Sequence, residues 1–481
     1  MTAERKKRSV STFAILLCVL LLVAAATWVA QGSTYTDPET GETAAVTPAS
    51  LSDILMAPIL GWHDAGDVIG FVFCLGAFLA IVTATGALET GIQVLVKKLR
   101  GKEMALIFIL MFVFSIGGTT YGMGEETVGF YILLAATMMA AGFDPLVGAA
   151  TVLLGAGSGV LGSTINPFAT GAAVAAAGVE VHMGILYGLG VILWLVSYGV
   201  SAFFVSRYAR AVRDRKGSIL TARQLEACRT AYGTSEGLEE GAKLTRRQKW
   251  VLVLFGLSFG VMILGFIPWE DLSEGVFRFL GWSGVLTGNP FGWWWFDDAA
   301  VWFLLMGIVI GLVGLPDKGK LMGCIIRGFG DMISVNLVIA LARATSVLMS
   351  VSGLGTWLVE ASVTALSASG LPAAVFGLLD YLLHIGLSFL VPSSSGLAGL
   401  SSPIVSPIVA GMGWSVETSI MINVAANGFV NLFTPTCGFI MGGLALARIP
   451  YEVWIKWAGK VLAVIGVAVG VILTAAMLLL S

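Results

Sequence analysis

The sequence predicts an all-α polytopic membrane protein of about nine transmembrane helices, two opposed re-entrant helical hairpins and two broken helices, arranged as an inverted repeat. Three observations carry that prediction. Apolar runs of 18 or more residues, long enough to span a bilayer, recur from end to end. Almost all basic residues fall into five clusters. Polar, glycine-rich interruptions of the apolar runs occur twice in the same order.

Of the 481 residues, 57% are hydrophobic and 12% charged, about half the charge of a soluble domain. Mean hydropathy is +0.91, and 61 glycines suit membrane helices. Five scattered cysteines (18, 74, 228, 324 and 437) form no C-x-x-C, so neither a disulfide framework nor a zinc site is indicated. A net charge of −2 gives no basic surface for nucleic acid. The N-terminus imitates a signal peptide, with Arg5-Lys6-Lys7-Arg8 before an apolar stretch from Val10 to Ala30. About twenty residues is longer than a secretory apolar core, so the reading is a retained first span.

Cytoplasmic loops collect lysine and arginine. With the N-terminus inside, the basic clusters lie at 5–8, 97–102, 207–249, 318–327 and 448–460 and hold 25 of 27 basic residues. The acidic 32–66 segment then reads as external. Spans fall near 10–30, 67–96, 146–178, 184–206, 250–268, 299–315, 328–352, 415–446 and 457–480. This divides the chain into an N-terminal span and external loop (1–66), a first repeat (67–206), a cytoplasmic linker (207–249) and a second half (250–481). The Trp293-Trp294-Trp295-Phe296 cluster reads as an interfacial aromatic belt.

Segments 104–142 and 371–412 are each nearly long enough to cross twice, yet each has a polar middle, at 117–126 and 391–396. Charge alone allows full crossings, and the polar middles favour re-entrant hairpins. After each hairpin comes an interrupted helix. Span 146–178 is broken at 162–171 around Asn166-Pro167, and span 415–446 at 431–438 around Thr434-Pro435. Proline removes a helix hydrogen bond and clashes with the preceding turn. The hairpins open from opposite sides, so the two halves are inverted. Paired interruptions in corresponding halves point to a transporter's binding site, because irregular backbone at membrane depth must be buried or line a wet cavity.

Glu125 and Glu126 end the first hairpin tip, where a carboxylate is expensive and reads as functional. They would bind a cationic group, coordinate sodium or carry a proton, unless one of them caps the following helix. Arg343, alone within an apolar segment, would hold a substrate carboxylate or neutralise Asp331, Asp380 or a tip glutamate. Asp380 and His384, four apart on one helical face, could relay a proton, but a packed or snorkelling pair near the hairpin base is the favoured reading. Gly157 to Gly162 spells the dinucleotide fingerprint G-x-G-x-x-G inside an apolar span, without the strand–helix context it needs; close helix packing accounts for it. Without a Walker motif, nucleophile–base pair or metal cluster, the sequence reads as neither a pump nor an enzyme, and no cofactor is expected. A channel would need a continuous wet path, whereas opposed hairpins argue for alternating access.

The motifs GGTTYGMGEETVGFY (117–131), GSTINPFATG (162–171), VPSSSGLAGLSSPI (391–404) and NLFTPTCGFIMGGLALARIPYEVWIKW (431–457) resemble the YfcC family. That family groups with ArcD-like basic amino-acid antiporters and also carries the label of a four-carbon dicarboxylate anaerobic carrier family. The resemblance runs from about residue 64 to near the C-terminus and implies the ion-transporter superfamily fold and a homodimer. It implies site residues Thr119, Thr120, Glu125 and Glu126 at the first tip and Ser163, Thr164 and Asn166 at the first break. The second half would add Ser393, Ser394, Ser395, Asn431, Thr434 and Thr436. Relatives often carry Gln at Leu397 and Asp at Asn427, and the loss of a carboxylate at Asn427 bears on ion coupling.

The expected activity is secondary transport of a small charged solute, with arginine or ornithine ahead of a C4-dicarboxylate. Sodium, protons or exchange would drive it. The expected setting is the bacterial inner membrane, with lipid and a small molecule as partners and no nucleic acid.

Overall fold

A computed structural model describes residues 12–37, 40–98, 102–213, 217–232, 243–267, 269–368 and 370–481. The first basic cluster and parts of the 207–249 linker lie outside the described residues. Helix α1 (Thr12–Val29) leads into a short antiparallel β-hairpin, β1 (Thr34–Thr36) and β2 (Thr43–Ala45). There follow α2 (Leu51–Asp64), α3 (Gly66–Ala84) and α4 (Ala87–Lys98). The next group is α5 (Glu103–Tyr121), α6 (Val128–Ala140), α7 (Pro145–Gly162), α8 (Ala172–Ala176), α9 (Met183–Arg213) and α10 (Ala222–Tyr232). The second half begins with α11 (Arg246–Phe266), α12 (Trp269–Leu272), α13 (Glu274–Leu280), α14 (Phe296–Gly314), α15 (Leu321–Val351) and α16 (Leu354–Ala368). It ends with α17 (Ala373–Leu390), α18 (Ser394–Gly411), α19 (Val416–Val430), α20 (Gly438–Leu446) and α21 (Tyr451–Leu480).

Among the described residues, nine helical stretches are long and apolar enough to cross a membrane: α3, α5, α7 with α8, α9, α11, α14, α15, α17 and α21. The number matches the sequence expectation, but the membership differs. The hairpin arms α5 and α17 qualify by length and composition. The 415–446 segment does not, because its break leaves helices of 15 and 9 residues, and α1, expected as the first span, falls among the shorter apolar helices.

Each half contains the same run of parts. α5, a tip and α6 precede α7, its break and α8; α17, a tip and α18 precede α19, its break and α20. Polar caps set the broken helices: the Asp144 carboxylate accepts from the Val147 amide ahead of Pro145, and Ser415 accepts from Thr418. Such caps satisfy amides the helix itself leaves open. α7 and α19 pack on each other at the centre, and every residue of both helices is buried. At the α5–α7 crossing, a Cβ on Gly118 would overlap the Ala156 carbonyl and one on Gly159 the Ser115 carbonyl. Bare backbone contact of this kind is how small residues join membrane helices. Close packing accounts for the rest of the G-x-G-x-x-G run too, with Gly157 under the Leu432 side chain and Gly162 against Trp194 and Gly190 of α9.

Four expectations change. Segment 32–66 carries a strand pair and the helix α2, which packs along α15. The single 67–96 span is two helices, turned at Thr85-Gly86. Helix α16 was not anticipated; its Glu360 accepts from the Thr36 amide at 2.7 Å and ties it to the strand pair. Within the aromatic cluster Trp294 is only 3% exposed, with its indole N–H bonded to the Asn289 carbonyl, so it is core rather than belt.

Candidate functional site

The first hairpin turns where Gly122 ends α5 at φ 78°. A Cβ there would stand 2.7 Å from the Asn166 amide nitrogen, so tip and break touch only because the residue is glycine. Glu126, 2% exposed, accepts from the Gly124 amide at 3.0 Å. It therefore serves the turn itself, and both it and Glu125 beside it line a cavity. In the break, Asn166 accepts from the Phe168 amide and donates to the Ser163 hydroxyl, both at 2.9 Å. Thr119 and Thr164 join the two parts: the Thr164 amide donates to the Thr119 hydroxyl, and the Thr164 hydroxyl to the Thr119 carbonyl, each at 3.1 Å.

The second tip is built from different groups. Ser393 caps α18, accepting from the Gly396 amide at 3.2 Å. Asn427 accepts from the Ser394 hydroxyl at 2.8 Å and from the Asn431 amide at 2.9 Å, and donates to the Val391 carbonyl at 3.3 Å. Asn431 also donates to the Pro392 carbonyl at 2.8 Å. An aspartate at 427 would have no donor for Val391, which gives this chain's asparagine a physical reason. Thr434 pairs with Thr436 at 2.7 Å, and Thr436 donates to the Phe389 carbonyl at 2.9 Å.

Both tips and both breaks meet at one cavity of about 150 Å³. Of the expected residues, Glu125, Glu126, Asn166 and Arg343 line it from the first half and α15, with Ser393, Ser394, Ser395, Asn431 and Thr436 opposite. The buried Asn431 side-chain oxygen has no hydrogen-bond partner, so it is an unsatisfied acceptor on a residue of the cavity wall. Thr119, Thr120, Ser163, Thr164, Asn427 and Thr434 do not line the cavity. Thr120 bonds back to the Ile116 carbonyl at 2.7 Å; the others brace tips and breaks as described.

Arg343 lies 2.6 Å from the Asp64 carboxylate. This corrects the expectation of Asp331, Asp380 or a tip glutamate: α2 packs along α15 and brings its last residue to the guanidinium. The pair is 30% and 50% exposed, so solvent reaches it. Asp380 and His384 are wholly buried and 3.0 Å apart, so of the two forms expected for that pair the packed one holds and the snorkelling one does not. The expected list missed Asp67, which lines the cavity and accepts from the Trp295 indole, and Tyr121, buried at the first tip. The signal for Asp67 was the spacing Asp64-Ala65-Gly66-Asp67 at the mouth of an apolar run. Asp67, Glu125 and Glu126 give the wall three carboxylates against the one guanidinium of Arg343.

The family model described as DcuC, C4-dicarboxylate anaerobic carrier, matches residues 10–478. The chain belongs to the DcuC family. This DcuC-family chain is a multi-pass membrane transporter of small molecules rather than an enzyme, and its setting is lipid. A Haemophilus influenzae protein of unassigned function is 30% identical over 410 residues, spanning 85% of this chain and 74% of that one. Escherichia coli K12 YfcC, provisionally named a basic amino acid antiporter, is 25% identical over 427 residues, 87% of this chain and 79% of YfcC. Among solved structures, the Alcanivorax borkumensis YdaH transporter is similar at 18% identity and a TM-score of 0.48, covering 97% of this chain and 98% of that one. Neisseria gonorrhoeae MtrF, described with a class of antimetabolite efflux pumps, is similar at 16% identity and a TM-score of 0.45, covering 99% and 96%. Neither likeness is close enough to carry substrate or mechanism across.

Proposed function

We propose that this carrier moves a basic amino acid such as arginine or ornithine by alternating access about the cavity between the two hairpin tips. The observation that carries the reading is the charge of the wall, three carboxylates to one guanidinium. A cationic side chain would meet Glu125, and a substrate carboxylate would meet the N-terminus of α18, where helix amides favour an anion, and compete with Asp64 for Arg343. The Asn431 oxygen would take the substrate's amino group. The repeated order of hairpin and broken helix in the two halves supports rocking of one part against another. The charge pattern of the loops supports a cytoplasmic N-terminus in a bacterial inner membrane.

A C4-dicarboxylate is the second reading, favoured by the family's description. It would set two anionic ends against a predominantly acidic wall, which costs more than it gains unless the glutamates are neutral. Counterflow in proteoliposomes separates the two. Vesicles loaded with unlabelled arginine should accelerate entry of labelled arginine, and vesicles loaded with fumarate should not accelerate labelled fumarate. The reverse pattern would sink the amino-acid reading.

A further inference from the structure

Away from the cavity, inside the second hairpin, lies a pair of titratable groups that the solute site does not use. Asp380 and His384 of α17 are both 0% exposed. The His384 Nδ1 lies 2.9 Å from the Asp380 carbonyl and 3.0 Å from its carboxylate. Its Nε2 lies 2.6 Å from the Ser401 hydroxyl, which is also fully buried and belongs to the other arm, α18. Both carboxylate oxygens of Asp380 are buried without a well-directed hydrogen bond. An ionised carboxylate so placed is expensive, and membrane-buried carboxylate–histidine pairs hold their place by carrying a proton or by pairing.

Among the described residues, the helices packed on α17 supply no further charge to the pair. Helices α16, α19 and α21 pack against α17. Glu360 of α16 is engaged with Thr36, and Glu417 of α19 accepts from the His182 amide. On α21, Tyr451 donates to the Phe433 carbonyl, while Glu452, Lys456 and Lys460 are exposed. Helix α18 contributes no ionisable side chain, and Tyr381 on α17 reaches the Gly466 carbonyl. With one proton between them, Asp380 and His384 are neutral as a pair; without it they leave one buried negative charge.

We propose that Asp380 and His384, with Ser401 as the bridge between arms, form a proton-binding site separate from the solute cavity and couple transport to protons. The proton is held while the hairpin arms are closed, as here, and leaves only when water reaches the pair. His384 stands about 10 Å along α17 from the Val391 end of the helix, where Asn427 and Asn431 grip the tip. Loading the site therefore bears on the tip that closes the cavity. The proposal rests on the chain being a transporter and not on which solute it moves.

The test starts with the full-length protein in nanodiscs, labelled with ¹⁵N-histidine. The chain has three histidines, and His63 and His182 are exposed and outside the cavity, so H63Q/H182Q leaves one reporter. The His384 ring nitrogens are expected to change state between pH 5 and pH 9, and D380N should move that midpoint by about one unit or more. A ring held in one form across that range, in the parent and in S401A, would make the trio a structural clamp and overturn the proposal. In proteoliposomes, an imposed pH gradient should accelerate uptake of whichever of arginine and fumarate the parent moves. H384Q should lose that acceleration and keep exchange at equal pH; acceleration retained in H384Q overturns the proposal. If the parent moves neither solute, that failure belongs to the solute reading, and the nitrogen titration decides this one.

Discussion

Glu125 and Glu126 are neighbours with divided work. Both line the cavity, but the Gly124 amide holds Glu126 in the turn, which leaves Glu125 the freer of the two for substrate. A charge-assisted hydrogen bond contributes about 1.5–3 kcal/mol, so E125Q should weaken arginine binding by roughly 10–100-fold while the protein melts within a few degrees of the parent. Isothermal titration with arginine checks this, and unchanged affinity would remove Glu125 from the substrate. Asn427 makes a second case. N427D replaces a donor to the Val391 carbonyl with an acceptor at a residue 1% exposed. It should cost about 1–3 kcal/mol, seen as a lower melting temperature in detergent, with N427A milder. At this scale the sequence was half legible. Glu125, Asn166 and Asn431 stand out because a polar group in an apolar run is rare. Thr119 and Thr164 stand out equally, yet they bond to each other, and residue type does not say whether a hydroxyl is spent. The partner of Arg343 was hidden because Asp64 lies 279 positions away on a helix the sequence did not reveal.

The tips and breaks work because backbones come close. G159A at the α5–α7 crossing sets a methyl against the Ser115 carbonyl and should cost about 1–3 kcal/mol or more through overpacking. G188A on α9, where a Cβ meets nothing within 4 Å, is the control and should leave melting unchanged or raise it slightly. G122A at the first tip combines a left-handed φ of 78° with a near contact to Asn166; it should slow transport more than it lowers the melting temperature, because the tip is local. Equal losses in G159A and G188A would mean that this crossing is not tight. Hairpins and breaks were readable as elements because proline, asparagine and glycine interrupt long apolar runs. Helix α2 was not, since 14 residues containing Pro58 are too few to span and carry no signal beyond their caps. The division of 67–96 into two helices hinges on one turn, which the continuous apolar pattern conceals.

For the whole molecule, the two halves share one cavity, and Cys437 lies on its wall at 4% exposure. With the other four cysteines changed to serine, a small membrane-permeant maleimide should reach Cys437 only as the carrier opens. Arginine at ten times its Kd should slow labelling about tenfold by occupancy. Labelling indifferent to arginine, in a variant that still transports it, would place the solute elsewhere.

The fully buried α7 and α19 have one further consequence. The helices that carry the breaks have no surface for acyl chains, whereas α9 and α21, of 31 and 30 residues, are about 45 Å long and outreach a hydrocarbon core of about 30 Å. Bilayer thickness therefore acts on the sheath, by tilt and mismatch, and leaves the centre untouched. Carriers placed in thin and thick phosphatidylcholine vesicles should bind their solute with equal affinity and turn over at different speeds.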